Sequence, residues 1–388
     1  MKRRNGEGSW GTKTVGNNKY HYFRDSSGHY TYGKTVKEVN EKIKKRKAEE
    51  FLLSDKTTFG EYISEWLKSK QKNIEPTTYD CYETIISSQI LNFKDYDLAN
   101  IQLHNLNSKV FQKYLDVLAK KYSRATIKKT WVLIRQCIKV GEVKNEIPMN
   151  TTAFVKVPIE SQVAVKKKNI PFLSEADAEL LYNTLKMRYK NGDFKYKENA
   201  HALILIMYSG MRISEMTSLR WKNVDIENKR IFIRESTAQR KNRDKNSNTK
   251  YITYTKTPKT KESIRTIPLP NRAMEMIQWF YDKHSRNRKP DDFVCCSKNG
   301  TQMMRRNVNK TLKSMIKDSG CSVMDFSAHT LRHTYGSILL ANGVEIKKVS
   351  ELLGHEDITT TYNIYIGILE KDKKEEVERV FDKKIEGN

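Results

Sequence analysis

The sequence predicts a multidomain α+β protein: a small three-stranded sheet plus helix, then an all-α bundle, then a larger mixed α/β domain. Three observations predict it. The chain has 388 residues, enough for two or three domains at about 150 residues each. Its hydrophobic share is only 37%, which suits several small cores better than one large one. Its patterning also changes character twice along the chain, from aromatic runs cut by turn formers, to helical spacing, to a mixture of both.

Residues 1–55 open with runs around Trp10, from Tyr20 to Phe23, and from Tyr30 to Tyr32. Gly16-Asn17-Asn18 and Asp25-Ser26-Ser27-Gly28 divide them, which is hairpin chemistry. Val36, Val39, Ile43 and Phe51 then fall at helical spacing on a stretch that carries Lys44, Lys45, Arg46 and Lys47. The block has 13 basic and 7 acidic residues, with aromatics and basics interleaved. That suits a sheet laid into a DNA groove, and a small aromatic core beneath a solvated helix is the alternative.

Residues 57–155 read as a helical bundle. Thr58 is a plausible N-cap for the first helix, and three more run near Thr78 to Ile90, Ser108 to Lys120 and Ala125 to Val140. The last carries Ile127, Trp131, Ile134 and Ile138 in 3-4 spacing. Lys128, Lys129 and Arg135 lie on outer faces, as DNA contacts or as solvated surface. Two prolines and a lysine triplet with no clean period mark residues 156–170 as a linker. Residues 171–388 mix helices with a short sheet.

The net charge of +26 costs self-repulsion unless a polyanion takes it up, so nucleic acid or an anionic surface is the expected partner. The longest apolar run, Ala202 to Tyr208, is seven residues where a membrane span needs about 20. The N-terminal Met1-Lys2-Arg3-Arg4-Asn5-Gly6 has no apolar stretch behind its charges, so no secretory signal is read there and the cytoplasm is expected. Cys81, Cys137, Cys295, Cys296 and Cys321 form no C-x-x-C and match neither a disulfide framework nor a zinc ribbon. No P-loop motif is present. A metal reading exists, since His329 and His333 are four apart with His355 downstream. The missing H-E-x-x-H glutamate and the neighbouring Arg332 weigh against it.

Three stretches concentrate the chemistry. Ser209-Gly210 ends the most apolar helix, and Arg212 stands where the next begins, three residues before Glu215. After Ser327, a good N-cap, His329 and Arg332 share one helix face, while Leu331, Tyr335 and Leu339 occupy another. Gly354 closes a helix and presents His355 just past its end, ahead of Thr360-Thr361-Tyr362-Asn363-Ile364-Tyr365.

Arg, then H-x-x-R, then L-G-H, then Tyr, in order over about 155 residues, resembles the tyrosine recombinase (integrase) family. The small sheet and the helical bundle upstream are similar to the arm-binding and core-binding domains of integrases from conjugative transposons and temperate phages. The resemblance implies a site of Arg212, His329, Arg332 and His355, with Glu215 in support. Tyr365 rather than Tyr362 is implied as the nucleophile, and Lys259 as the catalytic lysine on a β-hairpin over residues 251–268. Lys256 and Lys261 compete with Lys259. The family spacing is stretched by an insert from Gln239 to Asn248, whose Arg240, Lys241 and Arg243 are extra DNA contacts or a solvated loop.

Such residues fit the chemistry. Guanidinium forks place fixed charge on the non-bridging oxygens of a phosphodiester. A tyrosine with an ordinary pKa of about 10 needs that field and a base to attack, and a lysine can protonate the departing 5′-oxygen. The resemblance further implies no metal and no ATP, double-stranded DNA at core and arm attachment sites, a tetramer passing through a Holliday junction, an excisionase-type accessory protein, and a location at the nucleoid. Val377, Val380, Phe381 and Ile385 fall at helical spacing, which suits a tail helix docked on a neighbouring protomer or on its own domain. A type IB topoisomerase and a non-catalytic DNA-binding regulator are the rival readings.

Overall fold

The structure, a computed structural model, describes residues 8–16, 18–25, 28–53, 56–166, 171–244, 246–258, 260–284, 289–322 and 326–365. The chain divides into two units, Met1–Lys167 and Lys168–Asn388.

The first unit begins with an antiparallel meander of β1 (Ser9–Val15), β2 (Asn18–Arg24) and β3 (Tyr30–Gly33), followed by α1 (Val36–Leu53). Gly11 pairs with Tyr22, and Tyr22 with Tyr32. Val39 of α1 packs where a side chain on Gly33 would project, so α1 covers the face of β3 opposite to Tyr30 and Tyr32. Those tyrosines and Tyr22 form an exposed cluster with ring centroids 5.4 to 6.0 Å apart, and Arg24 lies over Tyr30.

The bundle has four helices: α2 (Phe59–Lys70), α3 (Pro76–Ile85), α4 (Ser108–Ala119) and α5 (Arg124–Lys144). Thr58 and Glu61 cap α2 reciprocally, and Asn107 caps α4, so side chains satisfy N–H groups that the first turn leaves bare. A π-helical turn, Ile86–Leu91, prolongs α3. Phe111 contacts both Phe59 and Trp131 at the centre of the core. The stretch expected to be linker is docked over its first half. Lys156 N–H donates to Gln112, Ala164 N–H donates to the Ala119 carbonyl, and Val163 is buried in the bundle core. Proline and lysine content does not register this, because a few apolar side chains suffice to anchor a segment without regular structure.

The second unit is built around α7 (Glu198–Ser209), which is apolar on nearly every face and buried along most of its length. Such a helix belongs inside a domain; α9 (Asn271–Lys283), α10 (Arg305–Ser319) and α11 (Ala328–Ala341) pack on it. Each of its leucines and isoleucines contributes roughly 1.5–3 kcal/mol by leaving water. Helices α6 (Glu175–Asn183), α8 (Ile213–Met216) and α12 (Ile346–Leu353), and a last helical segment over 358–365, α13, complete the helical part. Two small sheets flank it: β4 (Val224–Asp225), β5 (Arg230–Ile233) and β8 (Arg265–Pro268) in one, β6 (Ser236–Lys241) and β7 (Tyr251–Lys256) in the other.

The strand pairing corrects the expected hairpin. β7 and β8 lie in different sheets, and the hairpin is β6–β7, in which Gln239 pairs with Thr253 and Lys241 with Tyr251. Part of the basic insert is therefore strand, because β-branched and aromatic residues of β7 give it a ladder partner.

Candidate active site

The site is assembled from helix ends. Gly210 closes α7 with φ +65°, and a side chain there would run into the Tyr335 ring, so only glycine fits. Its carbonyl accepts Arg332 Nη1 at 2.9 Å. The chain then turns into Arg212, the N-cap of α8.

Glu215 is the buried anion that organises the cations. It accepts the Arg212 backbone N–H at 2.9 Å and Arg212 Nη1 at 2.7 Å. From the opposite side it takes Arg265 Nη1 at 3.1 Å and Nη2 at 2.9 Å. Burial alone would raise the Glu215 carboxyl, but the hydrogen bonds and charge of Arg265, and the charges of Arg332 and Arg212, hold it at about 2. It is therefore a carboxylate at neutral pH.

The end of α12 supplies the second clamp. Arg332 Nη2 donates to the Leu353 carbonyl, Arg212 Nη2 to the Gly354 carbonyl at 2.9 Å, and Arg265 Nε to the Leu352 carbonyl at 2.6 Å. Three consecutive carbonyls at a helix C-terminus thus hold three guanidiniums, where the helix dipole favours cations. Arg332 is only 1% exposed. Burial and then the charge of Arg212 bring it down to about 9, with Glu215 working the other way, so it is a cation at neutral pH. Gly354, at φ +64°, has no room for a side chain beside Arg265.

Directly after this clamp, His355 Nδ1 lies 2.8 Å from the Thr361 hydroxyl. Burial, then the charges of Arg332 and Arg212, lower its pKa to about 3. His329 has an exposed edge, and the packing of the rest of its ring and the same two arginines lower its pKa too. Its ring meets His333 edge to face at 4.5 Å. His333 is buried, held at about 4 by burial and then by His329 and Arg332, and its Nδ1 is 3.4 Å from the Tyr365 hydroxyl.

The two tyrosines diverge. Tyr365 is 2% exposed and packs with Leu340, Val349 and Leu353. Burial pushes its phenol up to about 12, with Arg332 pulling the other way. Tyr362 is 41% exposed and turns outward.

Arg212 and Arg332 thus share the clamp with Glu215 beside them, His355 follows the clamp directly, and Tyr365 reaches the site through His333, with His329 at the edge. Lys259 lies outside the described residues, in the connection between β7 and β8. Lys256 ends β7 and Lys261 is exposed in that same connection. Lys44, Lys128, Lys129, Arg135, Arg240 and Arg243 are exposed and Lys241 is half-buried; the side chains of Lys45, Arg46 and Lys47 lie outside the described residues, as does the expected tail helix. Sequence reasoning missed Arg265, Thr361 and His333 as parts of the site. Arg265 shares the inward face of β8 with buried Ile267, while Thr266 and Pro268 on the other face are exposed; a charge on an inward strand face demands a buried acid. Among the described residues no group of three or more His, Cys, Asp or Glu is placed to hold a metal, and no helix is long and apolar enough to cross a membrane.

Fold and site together define a tyrosine recombinase, an enzyme that cleaves and rejoins DNA. The chain belongs to the phage integrase family, whose model matches residues 171–371; the model of the family's N-terminal SAM-like domain matches residues 58–118. It is 27% identical to a tyrosine recombinase XerC-like protein of Caldanaerobacter subterraneus subsp. tengcongensis, over 90% of each chain. It is also 27% identical to the integrase of Staphylococcus phage L54a, over 87% of this chain and 96% of that one. Among solved structures, the Tn1549 transposon integrase in complex with transposon right end DNA superposes with a TM-score of 0.65 at 19% identity, covering 80% of this chain and 95% of that one. A lambda integrase tetramer bound to a Holliday junction does so at 0.57 and 14%, covering 94% and 96%. At these identities the structural likeness is one of fold.

Proposed function

We propose that this recombinase integrates and excises a mobile element at specific attachment sites through a 3′-phosphotyrosine intermediate. The observation that carries the reading is the clamp at the end of α12, which draws Arg212 and Arg332 onto adjacent carbonyls beside His355, with Tyr365 turned inward next to it. Two fixed cations, braced from behind by Glu215, suit the non-bridging oxygens of a scissile phosphate. Tyr365 Oη attacks phosphorus and the bond to O5′ breaks, leaving a 3′-phosphotyrosine and a free 5′-hydroxyl. The tyrosine proton passes to a histidine of the site, and Lys259 protonates the departing O5′. A 5′-hydroxyl from the partner duplex then reverses the step, so the bond energy is conserved and neither ATP nor a metal is needed.

Four protomers on two duplexes exchange one strand pair and then the other through a Holliday junction. Residues 57–155 bind the core half-site, with Lys128, Lys129 and Arg135 among the contacts, and the β6–β7 hairpin adds Arg240, Lys241 and Arg243. Residues 1–55 bind arm sites through the tyrosine face of the sheet and Lys44 to Lys47. The enzyme acts in the cytoplasm, where the chromosome lies, with an excisionase-type protein setting direction.

The test is a nicked half-site on which cleavage traps the protein. A covalent adduct that forms in EDTA and maps to Tyr365 is expected. An adduct mapping to Tyr362 overturns the nucleophile, and activity lost in EDTA and restored by zinc overturns the metal-free mechanism. Relaxation of random supercoiled plasmid as fast as cleavage of the attachment site would favour a topoisomerase.

A further inference from the structure

Phe154 is 95% exposed and has φ +62°, a left-handed conformation rare for a bulky residue. Neither fact is explained by the fold of its own unit, which gains no burial from the ring. The turn that carries it is fixed at both ends. Thr151 is buried, and its N–H donates to Glu142 Oε1 at 3.0 Å; Ala153 N–H donates to the Asn150 carbonyl; and Val155 packs on the bundle core. The ring is thus held out into solvent by a rigid support.

Its surroundings are cationic and polar. Phe154 lines a cavity of about 310 Å³ with Trp131, Arg135, Glu142, Asn150 and Thr152. Among the described residues the Arg135 guanidinium makes no hydrogen bond or ion pair, and Lys156, two residues beyond Phe154, is exposed. Residues 124–156 hold seven basic and two acidic side chains. Both acids are engaged, Glu142 by Thr151 and Glu146 by the Tyr62 hydroxyl at 2.7 Å. An exposed aromatic ring beside two cations unpaired among the described residues is complementary to a duplex, in which apolar side chains part base steps while arginine and lysine hold the flanking phosphates. A protein surface matched to the ring would instead need an apolar rim, and the solvent-accessible part of the cavity lining is mostly polar, although Trp131, Ala153 and Val155 contribute to it.

We propose that Phe154 is a wedge that enters a groove of the duplex bound by the helical bundle and opens one base step, with Arg135 and Lys156 on the neighbouring phosphates. The proposal rests on the core-binding reading of residues 57–155. The experiment places 2-aminopurine at each position of the core half-site in turn and reads its fluorescence with the full-length protein bound. A rise of about threefold or more at one or two adjacent positions is expected. It should vanish in Phe154→Ala, persist in Phe154→Leu, and persist in Arg135→Ala, whose half-site affinity falls with its salt slope reduced by about one. Phe154→Ala should still form the covalent adduct at saturating protein. A fluorescence pattern unchanged by Phe154→Ala overturns the wedge, and if that variant also sediments as a smaller assembly on DNA, the ring is a contact between protomers. A wild-type protein that fails to bind the half-site overturns the core-binding reading and the wedge with it.

Discussion

Arg265 and Glu215 face each other through two parallel contacts, Nη1 to Oε1 at 3.1 Å and Nη2 to Oε2 at 2.9 Å, both side chains almost wholly buried. A planar fork matches a carboxylate in this way and an ammonium does not. Arg265→Ala should cost about 3–5 kcal/mol, because it leaves Glu215 buried with one of its two ionic partners gone. Denaturant titration measures this, and Arg265→Lys should recover only part of it. A cost below about 1 kcal/mol would show that Arg212 alone satisfies Glu215. The pH dependence has a definite sign. The Glu215 pKa is lowered from 4.5 to about 2 on folding, so its contribution is complete above pH 4.5 and lost as the pH falls toward 2. Glu215→Gln should flatten that part of the acid unfolding curve.

Much of this site was legible in the chain because its residues are set by helix ends, and helix ends leave local signals. Gly210 and Gly354 read as C-terminal glycines and both have positive φ; Arg212 follows the first within two residues and His355 follows the second directly. Tyr365 was singled out by the family pattern Thr360-Thr361-x-x-x-Tyr, ten residues after His355, and its burial beside His333 was not part of that expectation. Arg265 was not legible in the same way, since its partner is 50 residues away and only tertiary packing says that its strand face is buried. The lysine hairpin failed for a related reason. Strand pairing is non-local, and the pattern of Tyr251 to Lys256 fits a partner on either side, so nothing short of the sheet itself decides between β6 and β8. The docking of residues 156–164 was hidden because Val157 and Val163 are too few to make a period.

The histidines carry a second pH dependence. His333 and His355 have pKa values lowered from 6.5 to about 4 and about 3, so both are neutral in the folded protein at pH 7. Below pH 6.5 the unfolded chain binds protons that the folded chain does not, and stability should fall as the pH drops from 6.5 toward 4. Chemical denaturation at pH 7 and pH 5 measures the slope. His333→Gln and His355→Gln should each make it shallower, and an unchanged slope in both would mean that the two rings are protonated in the folded state.

Gly336 is the floor on which Tyr365 rests. A side chain added there would meet Tyr365 Cζ at 2.6 Å and crowd the hydroxyl further, far inside any tolerated contact. Gly336→Ala should therefore expel the phenol from its place beside His333. Covalent adduct on a nicked half-site should fall at least tenfold while affinity for the same DNA stays within a few-fold. An adduct yield equal to the wild type's would show that the ring need not occupy this pocket for attack.

The tyrosine face of the N-terminal sheet gives the last prediction. Gly11 lies opposite Tyr22, and a side chain on it would stand 2.8 Å from Tyr22 Cε1, so glycine is what lets the Tyr22 ring lie flat across the sheet. Tyr30 and Tyr32 extend that surface, Arg24 and Lys13 border it, and α1 leaves it uncovered. Deleting residues 1–55 removes 13 basic and 7 acidic side chains together with this face. Binding to arm DNA should be abolished, while cleavage of a core half-site should remain measurable, since every described residue of the site lies in the second unit. Gly11→Val should weaken arm binding selectively by tilting the Tyr22 ring. Arm binding by the intact chain should also fall steeply with salt, as counterion release from the phosphates requires. A truncated chain that binds arm DNA as tightly as the full chain would assign the arm contact to another part of the molecule.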